Sequence, residues 1–163
     1  MSRVTSEKEE FYEKIVRTVE HILGKDVVGI ILFGSSIYLG KGDDIDILVI
    51  VSREVSEKEK FELELKTSRE LRKVAKDSVF DIHIMSMSDF EKNLVPGSFL
   101  TGLALGYEVL LDRAGIEDKI LNFLKKISEE KYVLHNKYGA WNLSHYARII
   151  LRLKKTKLNM SEG

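Results

Sequence analysis

The sequence predicts an α/β (α+β) domain, a mixed β-sheet flanked by helices, that ends in a C-terminal helical pair. Two β-branched apolar runs, residues 27–33 and 45–51, alternate with charged segments of helical period. A third segment, Val79 to Met85, alternates with period two, and from Gly115 onward the periodicity is helical throughout. The chain has 163 residues, 44% hydrophobic and 32% charged, enough for one domain or a domain with an extension.

Ser6 with Glu9 three residues on reads as a capping box, and Phe11, Ile15, Val19 and Ile22 recur at helical spacing up to Gly24. Residues 27–33 then form a buried strand that stops at Gly34-Ser35-Ser36, and residues 45–51 form a second. Ser56 with Glu59 caps a long charged helix to about Lys76, which leads to the third strand. Ser88 with Glu91 starts a short helix that Pro96 must end. Gly97-Ser98 reads as a turn, residues 98–105 as one more helix, and Tyr107 to Leu111 as a short fourth strand. Ile116, Ile120, Phe123, Leu124 and Ile127 mark an amphipathic helix, and a last helix runs from about Glu130 to Lys157. The division is residues 1–112 as the core and 113–163 as a helical extension, joined near Asp112 to Gly115.

Composition excludes several classes. Apolar content is too high for a disordered chain, and glycine and proline are too few for a collagenous one. With no cysteine there is no disulfide scaffold, thiolate zinc site or cysteine nucleophile, which fits a reducing compartment. The longest uncharged runs, Val27 to Leu39 and Asn93 to Tyr107, fall short of the roughly 20 apolar residues that span a bilayer. Residues 1–20 are rich in Glu and Lys, unlike a signal peptide, so the expectation is a cytoplasmic protein without a membrane role. Net charge is zero but uneven: residues 1–112 hold 15 Lys+Arg against 21 Asp+Glu, and residues 113–163 hold 11 against 5. That basic tail suits either a solvated helix face or a polyanion surface.

The chemistry-bearing stretch is residues 33–51, FGSSIYLGKGDDIDILVIV. Strand geometry puts Asp44 and Asp46 on one face and Ile45 and Ile47 on the other. Two carboxylates about 4 Å apart repel by roughly 4 kcal/mol at an effective dielectric of about 20. A divalent cation removes that cost, and magnesium, a hard ion held by one or two carboxylates plus phosphate oxygens, suits the pair. In the third strand Asp81 and His83 share a face opposite Phe80, Ile82 and Ile84. If that strand pairs beside the second, Asp44, Asp46 and Asp81 converge with enough oxygens for two ions. Gly34 permits a close turn, and Ser35 offers a hydroxyl and an amide where a short helical turn, Ile37 to Leu39, could begin; such N-termini attract phosphate. Asp44 and Asp46 could instead be a polar loop-to-strand edge, and Asp81 a surface-facing residue.

A strand ending in Gly34-Ser35, a short loop, Asp44-Ile45-Asp46 opening a strand, and a later Phe80-Asp81-Ile82 resembles the nucleotidyltransferase superfamily of DNA polymerase β, its minimal prokaryotic members in particular. The resemblance covers about residues 10–112 and includes Gly106-Tyr107-Glu108-Val109-Leu110-Leu111-Asp112, similar to the segment that closes many such domains. It implies a mixed sheet flanked by helices, two Mg2+ ions, and transfer of a nucleoside monophosphate from a nucleoside triphosphate, ATP foremost, to a hydroxyl with release of pyrophosphate. By position, Ser35 binds phosphate beside Gly34 and Ser36, Asp44 and Asp46 hold both metals, and Asp81 holds one metal and helps activate the hydroxyl.

One departure is visible. Many small members carry an arginine in a Gly-Ser-x-Ala-Arg-Gly pattern, whereas this chain reads Gly34-Ser35-Ser36-Ile37-Tyr38-Leu39-Gly40. Lys41 can supply positive charge to phosphates, Tyr38 can stack on a base, and Asp43 falls on the face away from the trio. The missing arginine keeps a second class open, a non-catalytic binding module or antitoxin-like partner of another protein. The acceptor of an active enzyme could be a partner protein, tRNA or other RNA, or a small molecule. His83 could contact substrate, stand in a metal's outer shell or be structural. His135 and His145, ten residues apart, give no zinc site. A stripe of Tyr132, His135, Tyr138, Asn142, His145, Ile149 and Arg152 on the last helix suits binding of RNA or a partner, or more often packing on the domain or on a second copy of the chain, and Arg148, Arg152, Lys154, Lys155 and Lys157 could guide a polyanionic acceptor such as tRNA.

Overall fold

The computed structural model describes residues 3–34, 44–137 and 139–162. In chain order the elements are α1 (Arg3–Leu23), β1 (Val27–Phe33), β2 (Asp44–Val51), α2 (Glu57–Val74), β3 (Val79–Ser86) and α3 (Met87–Asn93). A 3-10 segment (Phe99–Leu105), β4 (Tyr107–Asp112), α4 (Ile116–Ser128), β5 (Val133–Asn136), β6 (Gly139–Asn142) and α5 (Leu143–Glu162) follow. The main sheet has the order β3-β2-β1-β4; β1 is antiparallel to both neighbours, and β2 and β3 are parallel. It is the mixed sheet flanked by helices that the strand and helix periods predict. A parallel pair needs a crossover, and α2 supplies it.

Both faces of the sheet are covered, which is why β1 and β2 read as nearly unbroken apolar runs. On one face Ile30, Leu32, Ile47, Val49, Phe80, Ile82 and Ile84 pack under Ile15 and Val19 of α1 and Leu71 of α2. On the other, Ile31, Leu48 and Ile50 meet Phe90 of α3, Leu100 and Leu103 of the 3-10 segment, Ile116, Ile120 and Phe123 of α4, and Leu143 and Ala147 of α5. The C-terminal helices thus close the same core that carries the sheet. Gly29 in β1 marks how closely: a Cβ there would stand 3.1 Å from the Ile116 side chain, a contact that Ile116 would have to shift to accommodate.

Several boundaries differ from the sequence reading. α1 already includes Ser6, so Ser6 and Glu9 lie inside the helix and do not open it. Ser86, two residues before Ser88, caps α3 by accepting from the Asp89 amide at 3.0 Å. Residues 99–105 form a 3-10 segment whose first turn is held by Ser98, which accepts from the Leu100 amide at 3.2 Å. The last helix is not continuous from Glu130: Val133–Asn136 and Gly139–Asn142 pair as the β5–β6 hairpin, and α5 begins at Leu143. Gly139 at φ +126° leaves the helical region. The Asn142 side chain accepts from the His145 amide at 3.1 Å and starts the helix anew. The stripe from Tyr132 to Arg152 is therefore split between hairpin and helix, and Tyr138 lies outside the described residues.

Two polar devices hold the frame. Asp112 at the end of β4 accepts from the amides of Ala114 (3.2 Å), Ile116 (2.8 Å) and Glu117 (2.9 Å), so it caps α4. Burial pushes its carboxyl up, but the backbone donors outweigh burial and hold it below the usual range. The outer edge of β3 is filled from α2: Ser68 donates to the Phe80 carbonyl at 3.0 Å, and Glu64 accepts from the Ile84 amide at 3.0 Å. An open strand edge invites pairing with another chain, and these side chains occupy it. No helix among the described residues is long and apolar enough to cross a membrane.

Replacing Glu64 by Ala leaves the Ile84 amide unpaired and is expected to cost about 1 to 3 kcal/mol, read from chemical denaturation. Glu64→Gln, which keeps an acceptor, is expected to lose less; equal loss in both variants would show that this hydrogen bond contributes nothing.

Candidate active site

The site forms where β1 ends and β2 begins. Across the sheet, register aligns Asp81 of β3, Asp46 of β2, Phe33 of β1 and Tyr107 of β4 in one row. Side-chain alternation sends Ile45 and Ile47 under α1 and α2, which turns Asp46 to the opposite face, where Leu48 and Ile50 pack toward α4. Phe80 and Ile82 of β3 fix Asp81 and His83 in the same way.

The parallel pairing therefore sets Asp46 directly opposite Asp81. Asp46 is sunk further, with 22% of its side chain exposed against 61% for Asp81. Burial, then the Asp81 charge, pushes the Asp46 carboxyl from 3.8 up to about 6; Asp44 adds to the rise and His83 opposes it. His83 Nε2 stands 3.6 Å from Asp81 Oδ2 and 4.0 Å from Asp46 Oδ1. Its imidazole is packed against Phe33 (centroids 5.8 Å apart) and Phe99 (5.5 Å), and those two rings meet edge to face at 5.8 Å.

Gly34 lies next to the Asp46 carboxylate. Its φ of +90° belongs to glycine, and a Cβ there would collide with the Asp46 carboxylate. Glycine is thus required twice, by the turn and by the carboxylate beneath it. At the far end of the row, burial and Glu117 push the Tyr107 phenol well up. Its hydroxyl donates to Glu117 Oε1 at 3.2 Å, which also pairs with Lys154 at 2.9 Å and so ties β4 to α4 and α5.

Of the residues singled out from sequence, Asp46 and Asp81 are brought face to face, and Gly34 lies against Asp46. Asp44 opens β2 as an exposed residue opposite Val79. Among the described residues, the group with donor atoms all within 4.8 Å of one another is Asp46, Asp81 and His83, and these three could hold a cation. Ser35, Ser36, Tyr38, Lys41 and Asp43, and the turn from Ile37 to Leu39, lie outside the described residues. Sequence reading missed Phe99, which comes from the 3-10 segment to wall the site. Nothing in its local spacing marks it, since only the tertiary fold puts it on His83.

No protein-family model matches the sequence, and no curated protein matches it. Solved structures are similar in architecture. One is a complex of tri-AMPylated Shewanella oneidensis HEPN toxin with MNT antitoxin, 18% identical, covering 73% of this chain and 85% of that one, at a TM-score of 0.45. A toxin-antitoxin structure with AMP-PNP is 22% identical, covering 72% and 85%, at 0.43. Spectinomycin adenyltransferase AAD(9) from Enterococcus faecialis, with ATP and spectinomycin, is 15% identical, covering 72% and 65%, at 0.44. At such identities and TM-scores the chemistry rests on the residues themselves.

Because the folded carboxyl of Asp46 is raised, its ionisation in the fold is disfavoured: the contribution of Asp46 to stability is fully present below pH 3.8 and is lost as pH rises through about 6. Without divalent ions Asp46→Asn is expected to be more stable than wild type at pH 7 by about 1 to 2 kcal/mol, after allowance for solvent screening, and to lose that advantage near pH 4. Paired thermal melts measure it; a less stable variant at pH 7 overturns this reading of the charge pair. Gly34→Ala is expected to lose about 1 to 3 kcal/mol from backbone strain alone, with the Asp46 clash added; a melt unchanged from wild type would refute that packing.

Proposed function

We propose that the protein is a metal-dependent nucleotidyltransferase, moving a nucleoside monophosphate from a nucleoside triphosphate, ATP foremost, to a hydroxyl acceptor with release of pyrophosphate. The observation that carries this reading is the in-register opposition of Asp46 and Asp81 beside the Gly34 turn. Burial and the facing Asp81 charge raise the Asp46 carboxyl, and His83 beside the pair only partly offsets them. Hard oxygen donors suit magnesium, with Asp44, Asp46 and Asp81 as the carboxylates to hold it. When bound, the ions neutralise charge on the phosphates and on the attacking and leaving oxygens.

The chain supplies the rest by position. Gly34, having no side chain, leaves one flank of Asp46 uncovered for phosphate. Asp81, the more exposed carboxylate on the edge strand, accepts the proton of the incoming hydroxyl at a carboxylate oxygen. The hydroxyl oxygen bonds to the α-phosphorus as the bond to the bridging oxygen breaks, and pyrophosphate carries that electron pair away. The Phe33, His83 and Phe99 rings screen one side of the reacting groups from water.

A second reading, a partner-binding module of antitoxin type without turnover, is favoured by one observation. Phe61 (62% exposed), Leu65 and Val79 leave apolar surface beside the edge strand that carries Asp81. Incubation with α-labelled ATP, Mg2+ and candidate protein, RNA and small-molecule acceptors tests the first reading. Label transfer by wild type that drops at least about 100-fold in Asp44→Ala/Asp46→Ala is expected; equal labelling would remove these carboxylates from the chemistry. Calorimetry separates the second: the enzyme binds ATP only with Mg2+, whereas the silent module responds to neither.

A further inference from the structure

We infer that His83 is a direct metal ligand and that it shifts the site's preference from Mg2+ toward a first-row transition ion, Mn2+ foremost. The inference rests on the metal site proposed above and names which ion that site selects.

The geometry is a convergence of three donors. Nε2 of His83 faces Asp81 Oδ2 at 3.6 Å and Asp46 Oδ1 at 4.0 Å, both too long for hydrogen bonds. The ring thus points between the two carboxylates and bonds to neither. Donor atoms held about 2.1 Å from a common ion stand roughly 3 to 4 Å from each other, which is the range of both separations His83 makes. All three donors lie within 4.8 Å of one another.

The ring is also held in that direction. Phe33 and Phe99 pack on the imidazole at centroid distances of 5.8 and 5.5 Å, and in register it lies opposite Leu48, a core residue. Strand pairing fixes the backbone and the aromatic rings fix the side chain, so Nε2 needs little reordering to bind.

Ligand type then decides the ion. Magnesium takes oxygen donors and keeps its waters, whereas an imidazole nitrogen suits transition ions, and affinity for a given mixed site rises from Mn2+ toward later metals. Two carboxylates with one imidazole make such a site. Later ions bind the nitrogen more strongly, but Mn2+ is the member of the series that shares the hard-ion affinity of Mg2+ for carboxylate and phosphate oxygens, which here supply most of the donors.

Mn2+ itself is the probe. Free Mn2+ is titrated by its electron paramagnetic resonance signal with Mg2+ as competitor, and pulsed spectra of the bound ion report nitrogen hyperfine coupling. Wild type is expected to bind Mn2+ about tenfold or more tighter than Mg2+ and to show imidazole nitrogen coupling. His83→Gln is expected to lose the coupling and about tenfold in Mn2+ affinity while Mg2+ affinity stays within about twofold. The wild-type spectrum decides the question even if the variant folds poorly. Bound Mn2+ without nitrogen coupling, or an unchanged Mn2+ to Mg2+ ratio in His83→Gln, overturns the role of His83 and leaves the carboxylate site standing. If wild type binds neither ion, or Asp46→Asn binds both as well as wild type does, the metal site itself falls, and the proposed function with it.

Discussion

Everything at the site follows from one pairing, Asp46 on β2 opposite Asp81 on parallel β3. Like charges directly opposite on neighbouring strands destabilise a sheet, so a fold that keeps them must secure the two strands by other means. It does so with an unbroken apolar seam on the far face, where Ile47, Val49, Phe80, Ile82 and Ile84 are all buried beneath α1 and α2. The polar cost is thereby confined to one end of the sheet, and the stabilising area lies along the rest of it. Active sites commonly trade stability in this way, since groups arranged to bind a ligand are poorly matched to each other without it.

Much of this was legible in the sequence because strands write their geometry in period two. The alternation of Asp44 and Asp46 with Ile45 and Ile47, and of Asp81 and His83 with Phe80, Ile82 and Ile84, fixes which side chains share a face before any coordinate is known. The Ser56 cap of α2 and the glycine at position 34 were readable for similar local reasons. What period cannot give is register, the quantity that sets Asp46 against Asp81 and leaves Asp44 across from Val79. Nor does it give tertiary reach: Phe99 becomes part of the site only because the 3-10 segment folds over the end of β1.

The misread boundaries have a common cause. Ser6 and Ser88 carried the right pattern for a helix start, but α1 opens before Ser6, and Ser86 carries the same side chain two residues ahead of Ser88. From Tyr132 to Asn142 the apolar and aromatic residues fit both a helix stripe and a short hairpin. Pairing decided it, with Val133 opposite Asn142 and Leu134 opposite Trp141, and with Tyr132 bound to Ser144 and Leu143. Short elements with few residues of their own are the ones that tertiary contacts overrule.

The strand that bears Asp81 and His83 is the last in the sheet, and its outer flank is buttressed by Glu64 and Ser68 from a helix with no side chain among the three converging donors. The gap between the two carboxylates is accordingly governed from outside as much as by the strands themselves. A change in how that helix leans, whether by substitution on its surface or by a macromolecule resting against it, would widen or narrow the space between the two carboxylates.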